Sequence, residues 1–390
     1  MRDRNRRLYV VYQSNPFLAE QGGGVRYAQN LAYSLADKDV RLTFLGVGGS
    51  RRQEGNISFI PIMQHANSTW RFLLCLSWAR FRHIGFSRAI VHVHRLYYII
   101  PFLGPRIRCI ATLHGRTFTV FPERYGRALS SIAFPLFRCL ERVLISLASA
   151  LVAVSDDVIE QFTERHGRVF RRRSVPVIPS MVDLSAFSPQ TTGPSPGGEM
   201  PGSLCLFLGR LSRVKNLPLL LQSWVYVSGN CPTARLLIAG DGECRQEVVD
   251  QVSSLGLEAS VDLLGQIASD AVPSLMASAH LLVLTSDHEA SPTVVKEALA
   301  CGLPVVSTRV GDVEKVVNQG VTGLTPHADA RSIANAIVEV LGWRRSREEI
   351  AQVAAPVLAH YSPSVMAPRY LAIYTALGLH SHLPSQREER

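Results

Sequence analysis

The stretch that decides the fold is residues 280–308, HLLVLTSDHEASPTVVKEALACGLPVVST. Its uninterrupted apolar runs, HLLVLT and PVVST, are typical of strands that are buried on both faces of a parallel sheet. Between them, Ser291 is a candidate N-cap, Pro292 suits a first helical turn, and Cys301-Gly302 ends the helix. The stretch therefore predicts a strand, a helix of about three turns and a second strand.

The same alternation extends outward on both sides of that stretch. Apolar runs at 204–209, 235–240 and 261–265 (LCLFLG, RLLIAG and VDLLG) are separated by helical patterns. The first half is similar, with RRLYVVYQS, VRLTFLGVG, AIVHVH, RCIATLHG and ALVAVS, and a long helical stretch from about Tyr125 to Ala150. Strands alternating with single helices predict two α/β domains of the Rossmann-like kind, each with a parallel sheet.

The boundary between the two domains is predicted at 188–202, SPQTTGPSPGGEMPG, which is rich in Pro, Gly, Ser and Thr and lacks apolar periodicity. The chain should then divide into five segments: an N-terminal domain over 1–190, a linker over 191–202, a C-terminal domain over 203–362, a helix over 363–380 and a polar tail over 381–390.

Composition excludes several classes of protein. The 390 residues are 47% hydrophobic and 18% charged, which allows sizeable cores and excludes global disorder. Seven cysteines without a CxxC pair indicate neither a disulfide framework nor a zinc site, and fit reduced cytoplasmic thiols. The longest apolar run, over 143–154, is far shorter than the ~20 residues that cross a bilayer. We therefore expect neither a secretory signal nor a membrane span.

Charge is distributed unevenly along the chain. Residues 1–190 carry 26 Lys and Arg against 12 Asp and Glu, a net charge of +14, whereas residues 191–390 carry 15 against 19. This asymmetry indicates that the first half meets an anionic partner, which could be nucleic acid, a membrane surface or a phosphorylated substrate. The alternative is an arginine-rich surface without a specific partner.

The carboxyl ends of the predicted strands supply the candidate site, because ligands of open parallel sheets bind there. Gly209, Arg210 and Gly240 follow two of the strands, and Lys215 lies five residues after Arg210. The unpaired amides that open the helix after Ser291 form an anion site together with the helix dipole. Glycines, cations and these amides together suit an organic diphosphate.

Two glutamates flank this predicted anion site. Glu289 precedes the helix and Glu297 lies inside it. One carboxylate can therefore face the part of the ligand on one side of the phosphates, and the other carboxylate the part on the opposite side. Carboxylates accept hydrogen bonds from sugar hydroxyls without reacting. The alternative is that both are solvated surface acids.

The segment EASPTVVKEALACGLPVV resembles the E-x7-E signature of retaining glycosyltransferases of family 4, with Glu289 and Glu297 as its glutamates. FLGRLSRVKN, LLIAGDGE, VIPSMVDLSAF and GGGVRYAQNLAYSL resemble further segments of that family, so the resemblance runs from about residue 8 to 345. It implies the GT-B fold, in which two Rossmann-like domains face a central cleft and the last helix crosses back onto the first domain. Ala290 and Ser180-Met181 depart from glycine and Asn-Gly, which are frequent in the family at these positions.

The resemblance also implies roles for individual residues. Arg210 and Lys215 would neutralise the donor diphosphate, Glu297 would bind the ribose, and Glu289 would contact the transferred sugar. The remaining predicted contacts of the donor are Gly209, Gly240, Ser291, Pro292, Thr293 and Val294 in the second domain, and Gly23, Gly24 and His114 in the first. The glycine loop of Gly23 and Gly24 could instead approach the acceptor or form a plain tight turn, and His114 could be structural.

No metal site is expected, because two cations and a helix terminus already supply the positive charge that Mg²⁺ would bring. No cofactor is expected either, since a UDP- or GDP-sugar would be a co-substrate.

Residues 68–88 mix aromatic and basic side chains in STWRFLLCLSWARFRHIGFSR. Trp70, Arg71, Trp78 and Arg82 recur at helical spacing, which favours an interfacial helix on an anionic leaflet. A core-packed helix with an arginine face is the alternative, and the basic run 171–173 could face the same surface.

The sequence thus predicts a retaining glycosyltransferase that moves a sugar from a nucleotide sugar to a glycan or lipid-linked acceptor. A role in polysaccharide or cell-envelope synthesis, at the inner face of the plasma membrane, fits the basic first half. Two alternatives remain: a GT-B relative with epimerase or phosphorylase activity, and a basic nucleic-acid-binding protein.

Overall fold

The computed structural model describes residues 6–18, 23–65, 68–84, 88–115, 127–189 and 202–379. These residues form two compact units. The first contains residues 24–181 together with the chain's first strand and last helix, and the second contains residues 182–362. The predicted linker over 191–202, except Gly202, and the predicted tail lie outside the described residues.

The first unit is built on a seven-stranded sheet. Its strands are β1 (Arg7–Val11), β2 (Leu42–Val47), β3 (Arg52–Glu54), β4 (Ile57–Met63), β5 (Ala89–Val93), β6 (Ile107–Leu113) and β7 (Ala150–Ala153). They lie in the order β3-β4-β2-β1-β5-β6-β7, and every pair is parallel except the β3–β4 hairpin. The apolar runs of β1 and β5 are buried on both faces, as expected for strands in the middle of a parallel sheet.

Helices cover this sheet. They span Gly23–Ala36, Thr69–Ala79, Arg127–Leu147, Asp156–His166, Arg168–Arg171 and Pro363–Ala376, with a π-helical turn at Arg80–Ile84 and a 3₁₀ segment at Leu96–Phe102. The long helix expected from about Tyr125 is therefore present over Arg127–Leu147.

The second unit has a six-stranded, wholly parallel sheet in the order β10-β9-β8-β11-β12-β13. Its strands are β8 (Leu204–Leu208), β9 (Arg235–Ala239), β10 (Val261–Gly265), β11 (Leu281–Leu284), β12 (Val305–Ser307) and β13 (Gly323–Leu324). Its helices span Leu217–Asn230, Arg245–Ser254, Val272–Ser278, Thr293–Ala300, Val313–Val316, Ala330–Leu341 and Arg347–Ala359, with a 3₁₀ turn at Arg213–Lys215. Two parallel α/β sheets were predicted, and that prediction is confirmed.

Several elements were not predicted from the sequence, among them β13, the helix Asp156–His166, the β3–β4 hairpin and the helix Arg347–Ala359. The β3–β4 hairpin is short and its first strand is fully exposed, so no apolar alternation marks it. The helix Arg347–Ala359 contains Pro356, which obscures its periodicity. Ser346 and Glu349 form a reciprocal capping box at its start, and that spacing is the signal that could have revealed it.

The second unit begins at Val182, earlier than the linker boundary drawn from composition. The Val182 N–H donates to the carbonyl of Tyr361 over 3.0 Å, and Val182 and Phe187 pack in the core of the second unit. The packing of these apolar residues, rather than the Pro/Gly-rich composition that follows them, sets the start of the unit.

The last helix, Pro363–Ala376, joins the first unit through a buried polar cluster. The Tyr374 hydroxyl contacts His92 Nδ1 over 2.7 Å, and the Tyr370 hydroxyl bonds those of Thr112 (3.2 Å) and Tyr27. His92 Nε2 contacts the Thr112 hydroxyl over 2.7 Å. The final helix is therefore fixed to β5, β6 and the first helix by hydrogen bonds as well as by apolar packing.

The histidines of this region are held neutral. Burial lowers the pKa of His92 to about 3 and that of His114 to about 4, with further contributions from His114 and Arg95 respectively. Burial also lowers the pKa of His94 well below its usual value. An ordinary histidine titrates near 6.5, so an unfolded chain binds protons that these folded side chains do not.

The free energy of unfolding should therefore fall as the pH drops below about 6.5, with a slope of up to ~1.4 kcal/mol per pH unit for each such histidine. In His92→Gln, an amide can keep the two hydrogen bonds but cannot titrate, so the slope between pH 6.5 and 4.5 should become shallower. Urea unfolding across that pH range measures it. His65→Gln, at an exposed position, is the control, and equal slopes in both variants would contradict the prediction.

Candidate functional site

The carboxyl edge of the second sheet brings together a lysine and a glutamate that are 74 residues apart in sequence. Lys215 ends the 3₁₀ turn after β8, and its Nζ donates to Glu289 Oε1. The Ser286 hydroxyl donates to the same oxygen over 3.1 Å. The side chains of Lys215 and Glu289 are only 15% and 19% exposed. The predicted diphosphate-binding cation and the predicted sugar-binding carboxylate are thus direct neighbours.

The end of β11 holds the turn that carries Lys215. The Thr285 hydroxyl donates to the carbonyl of Lys215 over 3.1 Å, and the Asp287 N–H donates to that of Val214 over 2.9 Å. Asn216 Nδ2 donates to Asp287 Oδ1 over 2.6 Å. The Lys215 backbone is therefore positioned by the loop that also carries Glu289.

Two glycines keep this edge of the sheet free of side chains. A Cβ on Gly240, whose φ is +139°, would lie 1.9 Å from the carbonyl oxygen of Gly209, so no other residue fits. A Cβ on Gly209 would lie 3.4 Å from Lys215 Cε. Gly240 therefore lets two main-chain segments approach each other, and Gly209 leaves bare backbone beside the lysine.

Arg210 lies on the same edge but points elsewhere. Its guanidinium pairs with Glu243, with Nε 3.1 Å and Nη2 3.0 Å from Oε2, and its side chain is 71% exposed. An exposed ion pair of this kind is weak, so Arg210 can exchange partners at little cost.

The helix between β11 and β12 differs from its predicted form. It spans Thr293–Ala300, roughly two turns rather than three, and Pro292 with an extended ψ of 113° occupies the cap position. The prediction that Ser291 is the N-cap is wrong, because its hydroxyl donates to Asp312 Oδ2 over 2.8 Å instead. No side chain caps the helix by accepting a hydrogen bond from its first-turn amides, which include those of Thr293 and Val294.

A buried ion pair anchors this helix. Lys296 is fully buried, and its Nζ lies 3.0 Å and 2.9 Å from the two carboxylate oxygens of Asp312 and 2.9 Å from the Ser291 hydroxyl. The ammonium also lies 4.5 Å from the ring centroid of Tyr361. Burial lowers the pKa of Lys296, whereas the Asp312 carboxylate raises it. This pair was not predicted from the sequence, although a lysine in the apolar helix TVVKEALA is its signal.

Arg347, which was not predicted from the sequence either, contacts the other end of the same helix. Its buried guanidinium donates to the carbonyls of Cys301 (3.4 Å), Met276 (3.3 Å), Ala277 (3.0 Å) and Ala279. Gly302, at φ +69°, approaches the Arg347 backbone so closely that a Cβ would lie 2.1 Å from its carbonyl oxygen. A cation among helix-end carbonyls offsets their partial negative charge.

The second glutamate of the signature is placed differently from the first. Glu297 lies within the Thr293–Ala300 helix and is 4% exposed, whereas Glu289 lies on the preceding loop. Gly311, at φ +57°, allows the backbone at Glu289 and Ala290 to approach closely, since a Cβ there would lie 2.5 Å from the Ala290 carbonyl oxygen. Glu297 is thus a buried carboxylate, not the solvated surface acid of the alternative interpretation.

The site residues predicted in the first domain lie at the carboxyl edge of the first sheet or open its first helix. His114 follows β6 and its Nε2 lies 3.0 Å from Nδ1 of His94, which follows β5. His94 Nε2 is buried and has no hydrogen-bond partner among the described residues. Gly23 and Gly24 open the helix Gly23–Ala36, and a Cβ on Gly24 would clash with the Tyr12 hydroxyl at 2.2 Å. In the described parts of the chain, no three His, Cys, Asp or Glu side chains converge as metal ligands would.

Family models match both units of the chain. The model described as Glycosyltransferase Family 4 matches residues 21–186, and the model described as Glycosyl transferases group 1 matches residues 198–355. The chain belongs to glycosyltransferase family 4. The family that the sequence resemblance indicated is thereby shown, whereas the roles that it implies for Lys215 and the two glutamates stay predictions.

Relatives and solved structures agree with this membership of family 4. N-acetyl-alpha-D-glucosaminyl L-malate synthase of Bacillus anthracis is 26% identical over 65% of this chain and 63% of its own length. The match therefore spans less than two thirds of that curated relative. Sucrose-phosphate synthase from Thermosynechococcus elongatus superposes with a TM-score of 0.78 at 18% identity, over 96% of this chain and 99% of its own. HepE from Anabaena, in complex with UDP and glucose, superposes with a TM-score of 0.72 at 18% identity, over 95% and 100%. The GT-B fold expected from the resemblance is confirmed.

Proposed function

We propose that this chain transfers a sugar from a nucleotide-diphosphate sugar to a glycan or lipid-linked acceptor, with retention of the anomeric configuration. The observation that carries the proposal is the Lys215–Glu289 pair, which lies beside the bare backbone of Gly209. A cation can stabilise a charged leaving group, and a carboxylate beside it can accept hydrogen bonds from sugar hydroxyls in the same site.

The pair also explains how the donor would be handled. When the diphosphate enters, the Lys215 ammonium turns to the phosphates, and the Glu289 carboxylate becomes free to accept hydrogen bonds from the sugar. As the sugar–phosphate bond breaks, negative charge grows on the diphosphate. Lys215, Arg210 and the amides of Thr293 and Val294 stabilise that charge.

Glu297 is assigned to the ribose of the donor. Its carboxylate is buried within the Thr293–Ala300 helix, whose first turn would hold the phosphates. A buried carboxylate that accepts hydrogen bonds from two hydroxyls gains geometric selectivity for a ribose. The solved structure of HepE with UDP and glucose supports a nucleotide-sugar donor for a chain of this fold.

On the acceptor side, His94 and His114 would meet the transferred sugar or the incoming hydroxyl. Both imidazoles are neutral because burial lowers their pKa, so they serve as hydrogen-bond donors or acceptors rather than as cations. The net charge of +14 on residues 1–190 favours an anionic acceptor, such as a phosphate-linked glycan intermediate of envelope or polysaccharide synthesis.

Replacing Lys215 by Ala should lower turnover by about 10² or more, because one preorganised charge stabiliser of the leaving diphosphate is lost. The measurement is release of nucleoside diphosphate from the best donor in a panel of labelled nucleotide sugars. Arg213→Ala is the matched control, since Arg213 belongs to the same turn but is 65% exposed and 3.8 Å from Glu247. A Lys215→Ala rate close to that of the control would refute the assignment.

Substitutions of the two glutamates should differ in their effects on nucleotide binding and on sugar transfer. Glu297→Gln should weaken affinity for the bare nucleoside diphosphate, because the amide replaces one ribose acceptor oxygen by a donor. Glu289→Gln should leave that affinity unchanged and reduce transfer, since Glu289 is assigned to the sugar, which the bare nucleoside diphosphate lacks. Calorimetric titration with UDP and GDP, beside the donor-release assay, measures both effects. Equal losses of nucleotide affinity in the two variants would contradict the division of roles.

The helix Thr69–Ala79 supports attachment to a membrane surface. Its buried stripe is Phe72, Leu76 and Ala79, whereas Trp70 and Trp78 are 72% and 61% exposed. Leu74 and, in the following turn, Phe81 are likewise exposed, and the guanidinium of Arg82 lies 5.0 Å from the ring centroid of Trp78. The tryptophans therefore do not belong to the core of the unit. No helix among the described residues is both long enough and apolar enough to cross a bilayer.

Peripheral binding through this helix, at the inner face of the plasma membrane, should fall with salt, since each basic residue near an anionic leaflet contributes about 1 kcal/mol. Co-sedimentation with anionic vesicles should weaken in Trp70→Ser/Trp78→Ser and in Arg71→Gln/Arg82→Gln. The control Val225→Ser/Tyr226→Ser removes two apolar side chains from the second unit that are 40% and 42% exposed. Equal retention by neutral and anionic vesicles, or unchanged binding of both test variants, would rule out this attachment.

A further inference from the structure

A cavity of about 610 Å³ lies at the amino edge of the first sheet, opposite the edge that carries His94 and His114. Four of its lining residues are arginines: Arg6, Arg88, Arg108 and Arg173. Leu147 and Gly378 also line it, and no acidic side chain does so among the residues described. Nothing in the proposed sugar transfer uses these arginines.

The topology of the sheet forces three of these arginines together. Arg6 immediately precedes β1, Arg88 immediately precedes β5, and Arg108 is the second residue of β6. β1, β5 and β6 are adjacent parallel strands, with Arg7 opposite Ala89 and Ala89 opposite Ile107. Their amino ends share one edge, so basic residues at the start of each strand converge.

These charges are not neutralised within the described chain. Arg6 donates to the carbonyls of Arg106 (2.6 Å) and Ala89 (3.5 Å), and Arg173 donates to that of Ala148. Arg88 and Arg108 are exposed, and neither side chain forms an ion pair or hydrogen bond with another described residue. Burial and repulsion from Arg108 and Arg88 lower the pKa of Arg6. Like charges gathered in one concavity raise the energy of the empty site and favour an anion in it.

We propose that this cavity binds a phosphorylated molecule through its phosphoryl group. Guanidinium groups present paired N–H donors that match phosphate oxygens, and four of them can surround one or two phosphoryl groups. The cavity volume exceeds that of a phosphate, so a larger group attached to the phosphate also fits. β1 and β5 each have five residues, at about 3.3 Å per residue, so this site lies a full strand length from the histidines at the other edge.

The apolar wall indicates what the rest of the ligand can be. Leu147 ends the helix Arg127–Leu147, and it continues an exposed stripe of Leu136, Leu140 and Val143 at helical spacing. A phosphate pocket bordered by exposed aliphatic side chains suits the phosphate of a lipid headgroup. A free phosphorylated metabolite offers the same charged chemistry, and the two sources differ in what the apolar stripe contributes.

Calorimetric titration of the full chain with pyrophosphate and with dihexanoyl phosphatidate, a short-chain lipid phosphate, tests the proposal. Arg88→Gln/Arg108→Gln removes two exposed side chains without a described partner, so the fold should persist, and thermal denaturation verifies it. Affinity for both probes should fall about tenfold or more, because two charge-assisted contacts are lost. The control Arg51→Gln/Arg331→Gln removes the same charge from exposed positions outside the cavity and should bind as the unaltered chain does.

The donor edge also binds diphosphates in the proposed function, so a second variant separates the two sites. Arg210→Ala/Lys215→Ala should retain the binding that depends on Arg88 and Arg108. If Leu147→Gln weakens binding of the lipid probe alone, the ligand is a lipid phosphate. If Leu147→Gln binds both probes as the unaltered chain does, the ligand is a free phosphorylated molecule. If Arg88→Gln/Arg108→Gln binds both probes as the control does, or if binding is lost only in Arg210→Ala/Lys215→Ala, the cavity is not a phosphate site.

Discussion

The buried contact of Lys296 with Asp312 is the interaction on which the candidate site depends. An ammonium with no solvent exposure is tolerated only with a partner, and removing one partner of such a pair costs about 3–5 kcal/mol. Asp312 also accepts a hydrogen bond from Ser291, so the pair ties the helix start, the preceding loop and the loop after β12 together. Glu289, two residues before Ser291, is thereby held where it meets Lys215.

The two edges of a parallel sheet explain the rest of the chemistry. At the carboxyl edge of the second sheet, Gly209 leaves bare backbone beside Lys215, and no side chain caps the helix that follows Glu289. At the amino edge of the first sheet, strand starts gather Arg6, Arg88 and Arg108. The same directional rule, that parallel strands begin and end together, places the proposed donor site at one edge and the arginine cavity at another.

Much of the site could be predicted from sequence because its signals are local. The spacing of Glu289 and Glu297, and of Arg210 and Lys215, was visible in short segments, and the apolar runs identified the strands. The prediction of an N-cap at Ser291 was wrong because a serine before a proline can either cap the helix or bond to a distant side chain. Only the contact with Asp312, 21 residues away, decides between the two. Arg347 was missed for a similar reason, since the carbonyls that it binds lie 46 to 71 residues away.

The sequence by itself determined the two α/β domains, the order of their strands and helices in the chain, and the family signature, because periodicity and short motifs are encoded in neighbouring residues. Only the tertiary structure decided that Trp70 and Trp78 face outward, that the last helix is bonded to His92 and Tyr27, and that four arginines share one cavity. Each of these depends on which distant strands lie side by side. The strand arrangement that forms is the one that leaves little apolar surface exposed over a whole unit, so no local stretch of sequence encodes it.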